Sequence, residues 1–214
     1  EKVSAFSNTR TVSLCEALSE AERQNVFYRT DHHWTSDGAL LAYKQICKTL
    51  GIKPSKDDSY TVSEYENFRG TSYSTSCYTL TKPDKVKLYI NEKTNSNVEI
   101  SIVEGNKSTS SDSMFFMNRL DEDDCYTVFL DGNHSLVDIK TNNNGPVLMM
   151  IKDSFANSLA PFLTADYEHI IMLDLRYFRE PVQTICDYEG VTDILFVGEM
   201  SSIASDKNLI KLSF

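Results

Sequence analysis

Two short segments hold the residue types that nucleophilic catalysis requires: Asp31-His32-His33-Trp34 near the start of the chain and Lys152-Asp153-Ser154-Phe155 in its last third. In an extended stretch, side chains two residues apart point the same way. Asp31 can therefore hold the Nδ1 side of His33 while the other ring nitrogen faces a serine hydroxyl. A hydroxyl needs that help, being a weak nucleophile at neutral pH. Ser154 follows a continuous apolar run, Val147 to Ile151, and precedes a helical pattern. A serine at such a junction has its hydroxyl at the mouth of a sheet, and its backbone N–H is available to a developing oxyanion. The plainer alternatives are that Asp153 or Ser154 only caps the helix, and that the histidines form a structural pair or hold a metal. His32, His33, His134 and His169 are the full histidine complement. Trp34 is expected to wall the site or pack beneath it.

The elements that must position these groups are legible in part. Val12, Cys15, Leu18 and Ala21 at helical spacing predict a short amphipathic helix over 11–24, and Asn25 to Tyr28 a short strand leading into the histidine motif. Thr35-Ser36-Asp37 supply cap side chains for a helix whose apolar face is Ala39, Leu40, Tyr43, Ile46, Cys47 and Leu50, ending at Gly51. Residues 53–82 are rich in Ser, Thr, Tyr and Asp and read as a long irregular connection. Val86–Ile90 and Val98–Val103 alternate like strands around the polar turn Asn91–Asn97, which predicts a hairpin. Tyr126–Leu130 and Leu136–Lys140 read as further strands. From Val147 the chain repeats strand, helix, strand, helix, strand, which implies a parallel sheet covered on both faces.

At 214 residues with 41% hydrophobic side chains, the chain can form one full core. A single domain over 1–214 is expected, with an inserted hairpin or lid around 83–118. The net charge of -10 provides no positive field for a polyanion, which argues against nucleic acid as a partner. The acidic runs Asp121–Asp124 and Asp57-Asp58 read as solvated faces. The five cysteines form no Cys-x-x-Cys pair, so neither a zinc ribbon nor a redox motif is indicated. There is no signal peptide and no run of the ~20 apolar residues that a membrane span needs, so the chain as it stands is expected to be soluble.

The string Thr30-Asp31-His32-His33-Trp34-Thr35 with Gly38-Ala39 resembles the DHHW protein family of Gram-positive bacteria. The likeness continues in family order through Phe68-Arg69-Gly70-Thr71, Phe129 to Asn133, Lys152 to Ser158, Pro161-Phe162-Leu163 and Asp174 to Phe178. That family is similar to the SGNH-type acyltransferases that O-acetylate alginate in the periplasm, with an Asp-x-His-Trp motif ahead of the serine motif. The resemblance implies an SGNH hydrolase-like three-layer α/β fold with a central, mostly parallel sheet and an inserted β-hairpin region. By motif, it implies Asp31 and His33 as acid and base and Ser154 as nucleophile, and Gly132-Asn133 is the segment most able to donate to the oxyanion. Arg176, on the loop after the strand over 170–173, is a further candidate for holding a substrate carbonyl or carboxylate. One departure is Lys152, where SGNH enzymes usually have Gly.

The resemblance further implies a serine acyltransferase or esterase acting on O-acetyl or other acyl groups of a surface polysaccharide. It implies no cofactor and no metal, an extracellular or cell-envelope location, and an N-terminal membrane anchor outside this chain. Polysaccharide or another acylated small molecule would be the partner. A different class of function on the same scaffold is a non-catalytic module that binds glycan or protein through its aromatic surface. Metal-dependent Asp-His-His phosphoesterases need Asp-bearing motifs ahead of this one, and no Asp precedes Asp31. Asp-His-His-Cys palmitoyltransferases are excluded because Trp34 stands where their Cys would be.

Overall fold

In the computed structural model, which describes residues 8–21 and 25–213, the chain divides into two units, residues 1–89 and 90–214. The first unit holds α1 (Cys15–Glu20), α2 (Ser36–Leu50), β1 (Thr61–Phe68), α3 (Thr71–Ser76) and β2 (Asp84–Ile90). Helix α2 follows its sequence signals closely. The Thr35 hydroxyl accepts from the Gly38 amide, and Gly51 closes the helix in the left-handed conformation at φ 75°, which glycine adopts without a Cβ penalty. Its inner face, including Ala39, Ala42, Tyr43 and Cys47, is fully buried. The start of α2 is tied to β2, because Ser36 donates to the Lys87 carbonyl at 2.5 Å and Lys87 donates to Asp37 at 2.9 Å.

Three expectations for this unit change. Helix α1 is shorter than the pattern over 11–24 implied, and residues 22–24 lie outside the described ones. The stretch 53–82 is not an irregular connection, since it contains β1 and α3. Strand β2 pairs with β1 in a two-stranded sheet, not with the strand that follows it. The Val86–Val103 hairpin is therefore absent, and a one-turn helix, α4 (Glu92–Asn95), occupies the supposed turn.

In the second unit, β3 (Glu99–Glu104), β4 (Lys107–Ser111), β5 (Leu136–Lys140), β6 (Val147–Lys152), β7 (His169–Leu173) and β8 (Asp193–Val197) form one six-stranded sheet in the order β4-β3-β5-β7-β6-β8. Strand β6 is parallel to β7 and β8, whereas β5 is antiparallel to both β7 and β3, and β3 is antiparallel to β4. The sheet is mixed rather than mostly parallel. A second departure lies at Cys125–Val128, a 3-10 turn where a strand was expected.

Alternation along β6 and β7 places Met149, Ile151, Ile171 and Leu173 on one face, where they pack with Leu175, Phe178 and Val182 of the segment leading into α6 (Val182–Glu189). Leu148, Met150, Ile170 and Met172 point to the other face and are equally buried. At about 1.5–3 kcal/mol for each such side chain removed from water, these two strands anchor the end of β6, from which Ser154 and α5 (Phe155–Leu163) emerge.

Candidate functional site

The histidine motif is a tight turn closed by its own short ladder. Tyr28 donates to the His33 carbonyl at 3.2 Å and Thr35 to the Val26 carbonyl at 2.9 Å, with Phe27 and Trp34 as the bridged pair. Asp84, at the start of β2, ties down the turn. Its Oδ2 accepts from the amides of Arg29 and Thr30 and from the Thr30 hydroxyl at 2.7–2.9 Å, while Oδ1 takes Nε of Arg29 at 3.0 Å. Gly38 lets α2 approach this ladder, since a Cβ there would sit 2.4 Å from the Val26 carbonyl oxygen. Trp34 is buried and so packs beneath the turn.

Within the turn, Asp31 and His33 form a dyad. Oδ1 of Asp31 accepts from the His33 backbone at 2.9 Å and from its Nδ1 at 2.5 Å. Oδ2 accepts from the amide and the hydroxyl of Thr71, both at 2.8 Å. Because a carboxylate only accepts, Nδ1 carries the imidazole proton and the basic lone pair of the neutral ring lies on Nε2. Burial alone would raise the Asp31 carboxyl, but the hydrogen bonds from His33 and Thr71 outweigh it and hold the group well below the usual carboxylate range. Only glycine fits at position 70, since a Cβ would lie 2.3 Å from Asp31 Oδ2.

His32 turns to a different partner. Its Nδ1 lies 2.8 Å from the Thr71 hydroxyl, which spends its proton on Asp31 and so accepts from His32. The two imidazoles lie 3.8 Å apart between centroids with their planes tilted by 38°, and half of the His32 side chain is exposed. Asp31, His32 and His33 offer ligand atoms within 4.8 Å of one another. A cation among them would have to displace donors, because each Asp31 oxygen already accepts two hydrogen bonds.

In the second unit, the residue that caps α5 is Asp153. Its Oδ1 accepts from the Phe155 amide at 2.9 Å, and its Oδ2 from the Glu199 amide at 2.7 Å. Ser154 makes no side-chain cap bond and has ordinary helical φ and ψ of -65° and -19°. The capping role that competed for Ser154 thus falls to its neighbour. Buried Tyr126 fixes the turn, its hydroxyl reaching the Ser154 carbonyl at 2.9 Å and Ser158 Oγ at 3.0 Å.

Behind Ser154 lies a buried polar cluster. Lys152 is 6% exposed, and its Nζ donates to Asn157 Oδ1 at 2.8 Å and Asn133 Oδ1 at 3.1 Å. Asn157 Nδ2 donates to the Gly132 carbonyl at 2.9 Å and reaches Asn133 Oδ1 at 3.3 Å. Burial pulls the Lys152 ammonium down to about 8, against the opposing pull of Asp174. The loop carrying Asn133 has three successive left-handed residues, Leu130, Asp131 and Gly132, at φ 57°, 62° and 95°. Such conformations cost non-glycine residues energy and persist only where the surroundings hold them. Here Arg119 binds Asp131 at 2.5 Å and His134 Nε2 lies 3.1 Å from the Leu130 carbonyl. The Gly132 amide donates to Phe129 at 3.2 Å, so Asn133 is the better oxyanion candidate of the two. Arg176 is forked onto buried Asp174, with Nε and one terminal nitrogen at 2.9 and 2.6 Å.

Asp31 and His33 are thus brought together within the first unit, and Asn133 is linked to the end of β6 within the second, where Ser154 also lies. Thr71, Asp84, Tyr126 and Asn157 had no assigned role in the sequence. Thr71 and Asn157 stood inside recognised motifs, which was the available signal, whereas nothing local marked Asp84.

Comparison with known proteins agrees with this architecture. The chain is similar to a solved DHHW family protein from Eubacterium siraeum, with 26% identity, a TM-score of 0.77, and 93% of this chain covering 69% of that one. It is similar in fold to Bacillus cereus PatB1 with a sulfonyl adduct, at 22% identity and TM-score 0.80, with 95% and 71% of the two chains covered. A second structure of Bacillus cereus PatB1 matches at TM-score 0.71 and 22% identity, covering 96% of this chain and 70% of that one. No curated protein matches the sequence. The model of the DHHW protein family matches residues 5–173, and with its DHHW motif in the turn described above the chain belongs to that family.

Proposed function

We propose that this chain is a serine acyltransferase or esterase of the SGNH-like three-layer kind, acting on O-acyl groups of a cell-surface polysaccharide. The observation that carries the reading is the Asp31–His33 dyad: a fully buried carboxylate 2.5 Å from Nδ1, which fixes the tautomer that a general base requires. In the proposed reaction Ser154 Oγ attacks the ester carbonyl carbon as His33 Nε2 takes its proton. Asn133 and the Ser154 amide stabilise the oxyanion. The tetrahedral intermediate collapses, the leaving alcohol takes the proton from His33, and the acyl group stays on Ser154. A sugar hydroxyl or water, deprotonated by His33, then attacks the acyl-serine, and as this second tetrahedral intermediate collapses to the product, His33 returns the proton to Ser154 Oγ.

The sulfonyl adduct of PatB1 fits this reading, because sulfonylation traps an activated nucleophile. A cell-envelope location and an N-terminal anchor outside this chain belong to the same proposal. Among the described residues no helix is long and apolar enough to cross a membrane.

The test is hydrolysis of p-nitrophenyl acetate and labelling by a fluorophosphonate, each on wild type and Ser154→Ala. The expected result is that the variant loses labelling and at least ~10³-fold in turnover. A variant that keeps both, or a wild type inert to ester and probe alike, would overturn the proposal; the inert wild type would favour a binding module.

A further inference from the structure

We propose that Lys152 is a positioning residue, whose bond to Asn133 Oδ1 fixes that amide so that its Nδ2 donates to the acyl oxyanion. The inference rests on the acyl-transfer reading above. An asparagine amide has one accepting end and one donating end, and which end faces a substrate is decided by what holds the other. At Asn133 the accepting end is held by two donors, Lys152 Nζ at 3.1 Å and Asn157 Nδ2 at 3.3 Å. In its ammonium form Lys152 cannot accept, so in that form the amide cannot flip without setting its NH2 against Lys152.

Asn133 itself is exposed while Lys152 behind it is buried. The restrained end thus faces the interior, and Nδ2 meets no protein acceptor among the described residues. The backbone reinforces this orientation. Asn133 follows the three left-handed residues, and Asn157 holds the Gly132 carbonyl at 2.9 Å as well as the amide. Lys152 and Asn157 lie on either side of Ser154, so one end of the serine turn and the oxyanion donor share a single anchor. A glycine at 152 could not supply it. The charged groups acting on Lys152 are Asp174, Asp153 and Glu104, which favour its ammonium, and Arg176, which opposes it.

Preorganised donors act on the transition state and not on ground-state binding, which sets the expected kinetics with p-nitrophenyl acetate. Asn133→Ala should lower kcat by about 10²–10³-fold with KM little changed. Lys152→Met, close in volume, should lower kcat by at least ~10-fold, again with KM little changed, because the freed amide samples other orientations. The double variant should be no worse than Asn133→Ala alone, since Lys152 then has nothing to position.

Asn133→Asp separates positioning from folding. It keeps an acceptor for Lys152 and should melt no lower than wild type, yet it lacks the N–H donor and should lose kcat as Asn133→Ala does. Full kcat in Asn133→Asp, or a Lys152→Met defect that multiplies with that of Asn133→Ala, would overturn the inference. If Ser154→Ala had already kept its activity, the underlying reading and not this one would have failed.

Discussion

A carboxylate removed from water is destabilised unless donors replace its hydration, and Asp31 has a full set. Four hydrogen bonds, two to each oxygen, come from only two residues, His33 and Thr71. Asp31→Asn should be damaging in two separable ways. Its amide can still present an oxygen to His33, but the NH2 then faces the Thr71 amide, donor against donor, at a cost of about 1–3 kcal/mol. If the amide flips instead, the ring is driven to the wrong tautomer, and a turnover loss on the order of 10⁴-fold is expected in esterase assays. The pH dependence follows from the sign of the shift. A carboxyl held below its unfolded value contributes stability above that value, about 3.9, and loses it as pH falls toward the folded one. Melting temperatures of wild type and Asp31→Asn should therefore differ most at neutral pH and converge below about pH 4; a constant gap down to pH 2 would contradict the assignment.

Elements differ in how plainly their sequences announce them. Helix α2 was legible from cap to cap because Thr35, the apolar stripe and Gly51 all agree. Strand β1 was not, because Val62, Glu64 and Glu66 are exposed and among the described residues it pairs only with β2, so no apolar alternation marks it. The continuous run of β6 correctly signalled a central strand with parallel neighbours. The alternation in β5, buried at Val137 and Ile139, half-buried at Asp138 and exposed at Lys140, was the available sign of the antiparallel half of the sheet. The Asp31–His33 dyad was legible from spacing alone; its support by Thr71 and Asp84 depends on residues 40 and more positions away. One consequence belongs to the join between β1 and α3. Gly70 is required by contact and not by φ, since it has extended backbone but no room for a Cβ beside Asp31. Gly70→Ala should cost about 1–3 kcal/mol, the usual range for overpacking, and should lower turnover more than its melting temperature alone would account for. Circular dichroism melts and ester hydrolysis on one preparation would check this. Unchanged activity would mean that the Thr71 loop does not hold Asp31 during the proposed reaction.

The molecule as a whole carries a net charge of -10, and that bears on which acceptor the proposed transfer uses. Cationic groups at the end of β6 do not offset it locally, since Arg176 is matched by Asp174 and Lys152 is buried. The run Asp121–Asp124 is exposed. A polyanionic acceptor, such as a polymer of phosphodiesters, would approach against this field, whereas a neutral glycan would not feel it. Screening distinguishes the two, because the distance over which exposed charges act falls from ~30 Å at 0.01 M salt to ~3 Å at 1 M. Acetyl transfer from p-nitrophenyl acetate to a neutral oligosaccharide should therefore vary little with salt. Transfer to a phosphodiester oligomer of equal hydroxyl content should be slow at low salt and rise several-fold as salt is added. Mass spectrometry of both acceptors in one mixture gives the comparison directly. Preference for the phosphodiester at low salt would mean that a local cationic path overrides the charge of the whole, and the acceptor assignment would have to change.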